Sequence, residues 1–375
     1  MNPNIQQQIY TIEKESPVQF ISIVHNWVKN LTDKEWFIRL THKEFWGMPY
    51  LYPLAILTYP FWALRARSFM FFTAANPGIE TGGMTGESKV LINKLIPPQY
   101  RPKNTLLSIG ETLETWQLCL KNADLSYPVI VKPVVGARGL MVEKVHDFNE
   151  LTAHINRFGV DFMVEEFIDY PVEAAVLYWK NPITEASGIL SITLKKFLTV
   201  KGNNQNTVRY LLGQSFRGIL QVPRLEKEKP ELLNFIPACG EEVLVETIGN
   251  HCRGTMFLNG NHLINKDMIK AFDKIQSQLP DCYFYRLDLK TPSVSDLQNG
   301  ENIKILELNG VGSEPAHIYD PNYPLLKIWR DTWLLWAKMY EISEANNFLG
   351  APYQTLKEFK TYMKRQGDFE EAGKK

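Results

Sequence analysis

Two short runs, YRLDL at 285–289 and ILELNG at 305–310, place charged or amide side chains at every second residue between apolar ones. On a strand, residues two apart share a face. Arg286 and Asp288 therefore point one way, as do Glu307 and Asn309, while Leu287, Leu306 and Leu308 point toward a core. Side by side, two such strands would converge Asp288, Glu307 and Asn309 as three oxygen donors. Hard divalent cations, Mg²⁺ above all and Mn²⁺ after it, take such a set when phosphate oxygens complete it. The same text also fits ordinary alternation in a half-exposed strand.

The rest of the chain reads as alternating helices and strands. Residues 16–30 repeat apolar side chains at helical spacing, and 34–46 continues in a mixed helical register. Residues 74–89, AANPGIETGGMTGESK, form a glycine-rich loop leading into a helix from Ser88. YPVIVKPVVGARGLMVEKV, 127–145, reads as a hairpin, followed by a helix over 147–158 and a strand over 162–167. Further strands are predicted at 188–193, 254–258, 282–289 and 303–308, and helix over 324–364. KGNNQNT, 201–207, is a polar loop, and EKEKPE, 226–231, a solvated charge run. The expected class is α+β.

With 375 residues, the chain is expected to hold two or three domains at about 150 residues each. Lys+Arg and Asp+Glu both total 41, so the overall field gives no reason to expect a nucleic-acid partner. Cys119, Cys239, Cys252 and Cys282 are far apart with no CxxC pair, which argues against a zinc site or a disulfide framework. The polar start lacks the pattern of a secretory signal, and a cytoplasmic location is the expectation. YLYPLAILTYPFWAL, 50–64, is shorter than the ~20 apolar residues a spanning helix needs and contains two prolines. It suits a core segment or, with Arg65 and Arg67 beside it, an interfacial position; peripheral membrane contact is expected over 50–72.

Lys132 leaves the β-branched run VIVKP just before VVGARG. There an ammonium can meet one phosphate while main chain near Gly136 and Gly139 approaches others. An ordinary hairpin with a surface lysine fits the same text. Neither a P-loop nor a Rossmann fingerprint is present. FMVEEFIDYPVEAAV, 162–176, adds Glu165, Glu166 and Glu173 on an extended segment. Such a segment can read an adenine edge with its main chain, and a later carboxylate can accept from ribose hydroxyls.

Taken in order, these motifs resemble the ATP-grasp superfamily, most closely the D-alanine:D-alanine ligase-like carboxylate-amine ligases. The resemblance covers roughly residues 86–320. It implies an ATP-grasp fold, two α+β subdomains clasping ATP, with an N-terminal helical region and C-terminal helices. The divisions it suggests are 1–85, 86–185, 186–322 and 323–375. By resemblance, Lys89 in GESK and Lys132 contact phosphates; Glu166, Phe167 and Ile168 form the adenine hinge; and Glu173 binds ribose. Asp288, Glu307 and Asn309 match metal ligands, and Arg286 the arginine that steadies acyl-phosphate and tetrahedral oxyanions. GARG and GVGSEPAHIYDP depart from the family's serine-bearing loops, so the resemblance names a reaction class and no substrate.

Further clusters are candidates for the substrate. Arg253 in IGNHCRGT fits a bidentate carboxylate fork or a structural salt bridge, with Cys252 a small filler beside it. Glu314 and His317 follow the metal motif and are expected to face the cleft, His317 as a base or hydrogen bonder, or at a helix cap. Lys195, Lys196, Lys201 and Arg209 flank the polar loop as further cations. The implied reaction joins a small-molecule carboxylate to an amine, either of which could be amphipathic or lipid-linked, through an acyl phosphate with release of ADP. A kinase that stops at phosphorylation and a non-catalytic ATP sensor are the alternatives.

Overall fold

The computed structural model describes residues 32–85, 88–136 and 139–372. The expected helix over 16–30, Gly86 and Glu87 of GESK, and Ala137 and Arg138 of GARG lie outside the described residues. The described strands are, in order, β1 (Asn104–Leu107), β2 (Val129–Pro133), β3 (Glu143–Val145), β4 (Phe162–Glu166), β5 (Val172–Lys180) and β6 (Ser187–Lys196). They continue with β7 (Thr199–Lys201), β8 (Glu242–Leu244), β9 (Met256–Asn259), β10 (Phe284–Thr291) and β11 (Lys304–Asn309). The chain divides into two units, one of Met1–Trp46 with Thr199–Val245, the other of Gly47–Leu198 with Glu246–Lys375.

The first unit holds the antiparallel pair β7–β8 and short helices between them. Its buried ion pair joins Arg217 to Glu44, and Val208, Leu212, Leu225 and Leu233 are buried.

The second unit carries two antiparallel sheets with helices, the expected α+β class in the two-subdomain arrangement that the resemblance implies. The four-stranded sheet runs β1-β4-β2-β3. Helices Leu113–Asn122 and Phe148–Phe158 contribute Trp116, Leu151 and Ile155 to a core shared with Leu107, Val131, Phe162 and Val164. The second of these helices begins where Asp147 accepts from the amides of Asn149 and Glu150, and stops at Gly159 with φ +62°. The predicted hairpin is the β2–β3 pair, Val129 opposite Val145.

The five-stranded sheet runs β11-β10-β5-β6-β9. Its core joins Val176, Tyr178, Leu287, Leu289 and Ile305 to Ile92, Met268, Phe272 and Leu297 from helices Lys89–Leu95, Lys266–Gln276 and Val294–Asn299. Central β5 has Ala174 to Tyr178 buried without alternation, because both of its faces are covered.

Two sequence expectations change here. Helix over 324–364 breaks into Leu325–Phe348 and Leu356–Ala372. Gly350 takes φ +104°, and Ala351 N donates to Asn346 O at 3.0 Å, so the chain turns out of the first helix before Pro352. Leu306, expected in the core, is only partly buried. The β10–β11 register jumps from Asp288 opposite Glu307 to Leu289 opposite Ile305, leaving Leu306 as the extra residue of a bulge.

Glycine segments meet across the second unit. Val311 N donates to Gly82 O and Gly312 N to Gly83 O, each at 3.0 Å. A Cβ on Gly310 would lie 2.2 Å from Gly82 O, so only glycine permits this approach.

Candidate functional site

The bulge at Leu306 sets the geometry of the site. By pairing Asp288 with Glu307 and Arg286 with Asn309 directly across β10 and β11, it puts four polar groups on one face. Beyond the bulge, Ile305 returns to the core beneath Leu289. The polar face is thus a local property of two strands whose other face is buried and largely apolar.

Cations from both sheets of the second unit reach this face. Lys89, at the start of its helix, donates to Glu307 Oε1 at 2.6 Å, and its own amide donates to Val134 O just past β2. Lys132 on β2 pairs with the buried Glu165 of β4 and also donates to the bulge carbonyl, Leu306 O, at 3.2 Å. Lys195 on β6 bridges Glu173 Oε1 at 2.9 Å and Asp288 Oδ2 at 3.2 Å. Arg286 Nε donates to Asp288 Oδ1 at 2.7 Å, while Nη1 reaches Glu314 O at 3.4 Å. Lys290, two residues past Asp288, donates to Ile168 O at 3.0 Å and lies 3.9 Å from Glu173.

The charges hold one another in place. For Glu307, burial works against ionisation, but the Lys89 and Lys132 ammoniums and then Arg286 outweigh it and hold the carboxyl well below its ordinary value. For Asp288, burial is likewise outweighed by Arg286 and Lys195, so its pKa is lowered. Burial would discharge Lys195, yet Asp288 and Glu173 raise its pKa and keep it an ammonium. At Glu165 burial wins over Lys132 and raises the pKa. Lys290 is lowered by burial, which Glu173 only partly offsets.

This donor set has the chemistry of a hard cation site. Two carboxylates kept ionised stand beside an amide, and Glu307 remains 38% exposed. The buried Asn309 Nδ2 lacks a hydrogen-bond partner, and turning the amide presents its oxygen at the same place. Among the described residues no three His, Cys, Asp or Glu side chains group as a metal site; the set here is two acids and an amide.

Several other expected residues lie around this centre. Glu173 is buried, and Gly249 packs so closely that a Cβ there would sit 2.0 Å from Glu173 Oε1. The Glu166 amide is spent on Lys103 O at 2.9 Å, and Lys144 Nζ lies 3.6 Å from the centroid of the Phe167 ring. Gly136 has φ +146° and Gly139 φ +72°. A Cβ on Gly139 would lie 3.5 Å from Asn250 Nδ2 and 3.9 Å from Arg253 Nε, so this loop end and the 246–255 turn are neighbours. Arg253 itself donates to buried Glu246 at 3.3 Å. Lys196 is exposed, and Lys201 and Arg209 belong to the other unit, where Arg209 pairs with Glu226.

Beyond β11, Tyr319 Oη donates to Glu314 Oε2 at 2.6 Å, and the Tyr319 ring lies 5.3 Å from that of His251. Burial and then the Glu314 carboxylate push the Tyr52 hydroxyl well up, and Tyr319 is raised by the same two causes. Cys252 is exposed rather than a buried filler. His317 is 0% exposed, its Nδ1 2.8 Å from Ser191 Oγ and its Nε2 3.1 Å from Asp331 Oδ2. Both ring nitrogens are thereby engaged inside the protein.

Sequence reasoning passed over Glu165 as a partner, Lys290 and Asn76. Lys290 was legible, because it continues the i, i+2 face of Arg286 and Asp288. Asn76 carried no such signal. It is fully buried, donates to Gly82 O and Phe284 O at 2.9 and 2.6 Å, and accepts from the amides of Tyr283 and Phe284 at 2.8 Å. It ties the glycine loop to the entry of β10.

No family model and no curated protein matches the chain. Among solved structures it is similar to D-alanine–D-alanine ligase from Bacillus anthracis, at TM-score 0.40 and 15% identity over 72% of this chain and 71% of that one. It is also similar to the VanG D-Ala:D-Ser ligase from Enterococcus faecalis, at TM-score 0.38 and 14% identity over 69% of this chain and 63% of that one. A third is a bifunctional glutathione synthetase from Pasteurella multocida, at TM-score 0.34 and 16% identity over 62% of this chain. The chain spans only 33% of that synthetase.

Proposed function

We propose that the chain is an ATP-dependent ligase that joins a carboxylate to an amine through an acyl phosphate, releasing ADP and phosphate. The observation that carries this reading is the meeting of Lys89 and Lys132 with the Asp288, Glu307 and Asn309 face, with Arg286 at its edge. A helix-borne lysine on Glu307 and a strand lysine on the bulge carbonyl beside it suit a polyphosphate and its counter-cation.

In this reading Asp288, Glu307 and Asn309 hold Mg²⁺, or Mn²⁺ in its place, which when bound neutralises phosphate charge. Lys89 and Lys132, now held by Glu307 and Glu165, turn to phosphate oxygens, and main chain at Gly136 and Gly139 approaches the rest. Phe167 and Ile168 read adenine through the main chain, with Glu166 fixed by Lys103. Glu173 accepts from ribose hydroxyls, held in place by Lys195 at 2.9 Å and faced by Lys290 at 3.9 Å. Arg286 faces the oxyanion of the acyl transfer, anchored by Asp288 so that no reorganisation is needed as charge develops. Arg253, beside the glycine loop, orients an anionic group there. His317 is a positioning residue that holds the segment after β11 through Ser191 and Asp331. The ATP-binding part is read as residues 86–322, flanked by 1–85 and 323–375.

The test is Mg²⁺-dependent ATP turnover by the purified protein with amino acids, dipeptides and fractionated metabolite extract, products read by mass spectrometry. ADP, phosphate and a product of two substrate masses minus water are expected. ADP with a phosphorylated product would replace the ligase by a kinase, and ATP binding without turnover in any fraction would replace it by a sensor.

A further inference from the structure

The helix Pro53–Ala66 is apolar on every side although it lies at the protein surface. Its inner face is accounted for: Ala55, Trp62 and Ala63 are buried, and Trp62 and Tyr59 meet Trp333, Trp336 and Tyr340 of helix Leu325–Phe348. Its outer face repeats the apolar spacing. Leu54, Leu57, Phe61 and Leu64, at steps of three and four, are 43%, 76%, 62% and 79% exposed. Tyr50 before the helix and Phe69 after it extend the stripe at 66% and 62%. A helix apolar all round is ordinarily covered all round, and an uncovered apolar stripe marks an interaction surface.

Charge selects the partner. From residue 45 to 79 the sequence has no Asp, Glu or Lys, and its two charged groups are Arg65 and Arg67, both exposed. Trp329 Nε1 donates to Tyr50 O at 2.8 Å, and beside Trp329 the next helix exposes Leu326, Lys327 and Arg330. Apolar and aromatic side chains fringed by cations complement acyl chains beneath anionic headgroups. Among the described residues no helix is long and apolar enough to cross a membrane. The fourteen residues of this one suit lying in the plane of the interface.

We propose that this protein docks on anionic lipid surfaces through the outer face of helix Pro53–Ala66, with Leu54, Leu57, Phe61 and Leu64 inserted and Arg65 and Arg67 at the headgroups. The proposal does not depend on the ligase reading. If both hold, the docked segment leads directly to the site, since Tyr52, next to the stripe, is the buried neighbour of Glu314.

The test is co-sedimentation of the full chain with vesicles of phosphatidylcholine alone or mixed with phosphatidylglycerol. The wild type is expected to sediment with the mixed vesicles and to be released partly by salt. The Leu57→Glu/Leu64→Glu variant is expected to stay in the supernatant, and Arg65→Gln to lose about fivefold in partitioning at low salt. All three side chains are exposed, so urea midpoints matching the wild type are expected and verify folding. Wild type left in the supernatant with every vesicle, or a double variant that binds like wild type, would overturn the proposal. So would light scattering that finds a wild-type dimer dissolved by the double substitution, without vesicle binding, because the stripe would then pair with a second copy.

Discussion

Asp288 and Glu307 stand opposite each other in one register, yet their surroundings predict different responses to substitution. Asp288 is held by Arg286 and Lys195, all three largely buried, so Asp288→Asn takes the carboxylate from Arg286 and leaves Lys195 with Glu173 alone, and is expected to cost roughly 3 kcal/mol of stability. Glu307 is more open, so solvent screens part of its attraction to Lys89, Lys132 and Arg286, and Glu307→Gln is expected to cost less, about 1–2 kcal/mol. Under the ligase reading both lower turnover at least about 100-fold. Urea denaturation beside ATPase assays separates the two effects; equal stability losses would mean that the Asp288 network is not the one described. The sign of the pH dependence follows from the lowered pKa of Asp288. A carboxyl depressed in the fold contributes stability that is present above its unfolded value, near 3.8, and lost as pH falls toward the folded one. The stability gap between wild type and Asp288→Asn is therefore expected to narrow as pH drops through 3.8 and below. Denaturation curves from neutral pH to the onset of acid unfolding measure it, and a constant gap would refute an ionised Asp288 as the partner.

Between elements, the geometry depends on a few residues that hold segments together. Asn76 satisfies four main-chain groups between the glycine loop and β10, three of them in buried bonds and that of Tyr283 in a part-buried one. Asn76→Ala is expected to cost about 2–4 kcal/mol, seen as a lowered urea midpoint, because it orphans those groups away from water. The strand pair YRLDL and ILELNG was legible because period-2 alternation survives wherever one sheet face is polar. Central β5 was legible only up to Val176, where the extended reading stops, since the apolar run that follows looks the same in a buried strand and a buried helix. The break at Gly350 was legible too, in Gly350 followed by Pro352, a helix-stop pair that a reading of apolar spacing alone passes over.

At the scale of the whole molecule, a ligand that binds only the folded chain stabilises it by mass action, about 2.7 kcal/mol at a hundredfold excess over its dissociation constant. Mg²⁺ with ATP is expected to raise the melting temperature by several degrees, and removal of Mg²⁺ with a chelator to reverse most of the rise. Differential scanning fluorimetry checks this; an unchanged melting temperature at millimolar ATP would remove the nucleotide from the reading. The long-range contacts that would respond are those joining residues far apart in the chain, Lys89 with Glu307 and Lys132 with Leu306.

The α+β class, most of the strands, a minority of the helices and the polar faces of β10 and β11 were determined by the sequence, because they follow from side-chain period and local turn chemistry, which act over a few residues. The partners within the site were decided only by the tertiary structure. Which lysine neutralises which carboxylate, the bulge that moves Leu306 out of the core, the burial of His317 and the exposed outer face of helix Pro53–Ala66 all depend on what lies opposite in space. Alternation along one strand carries no record of the strand that will face it.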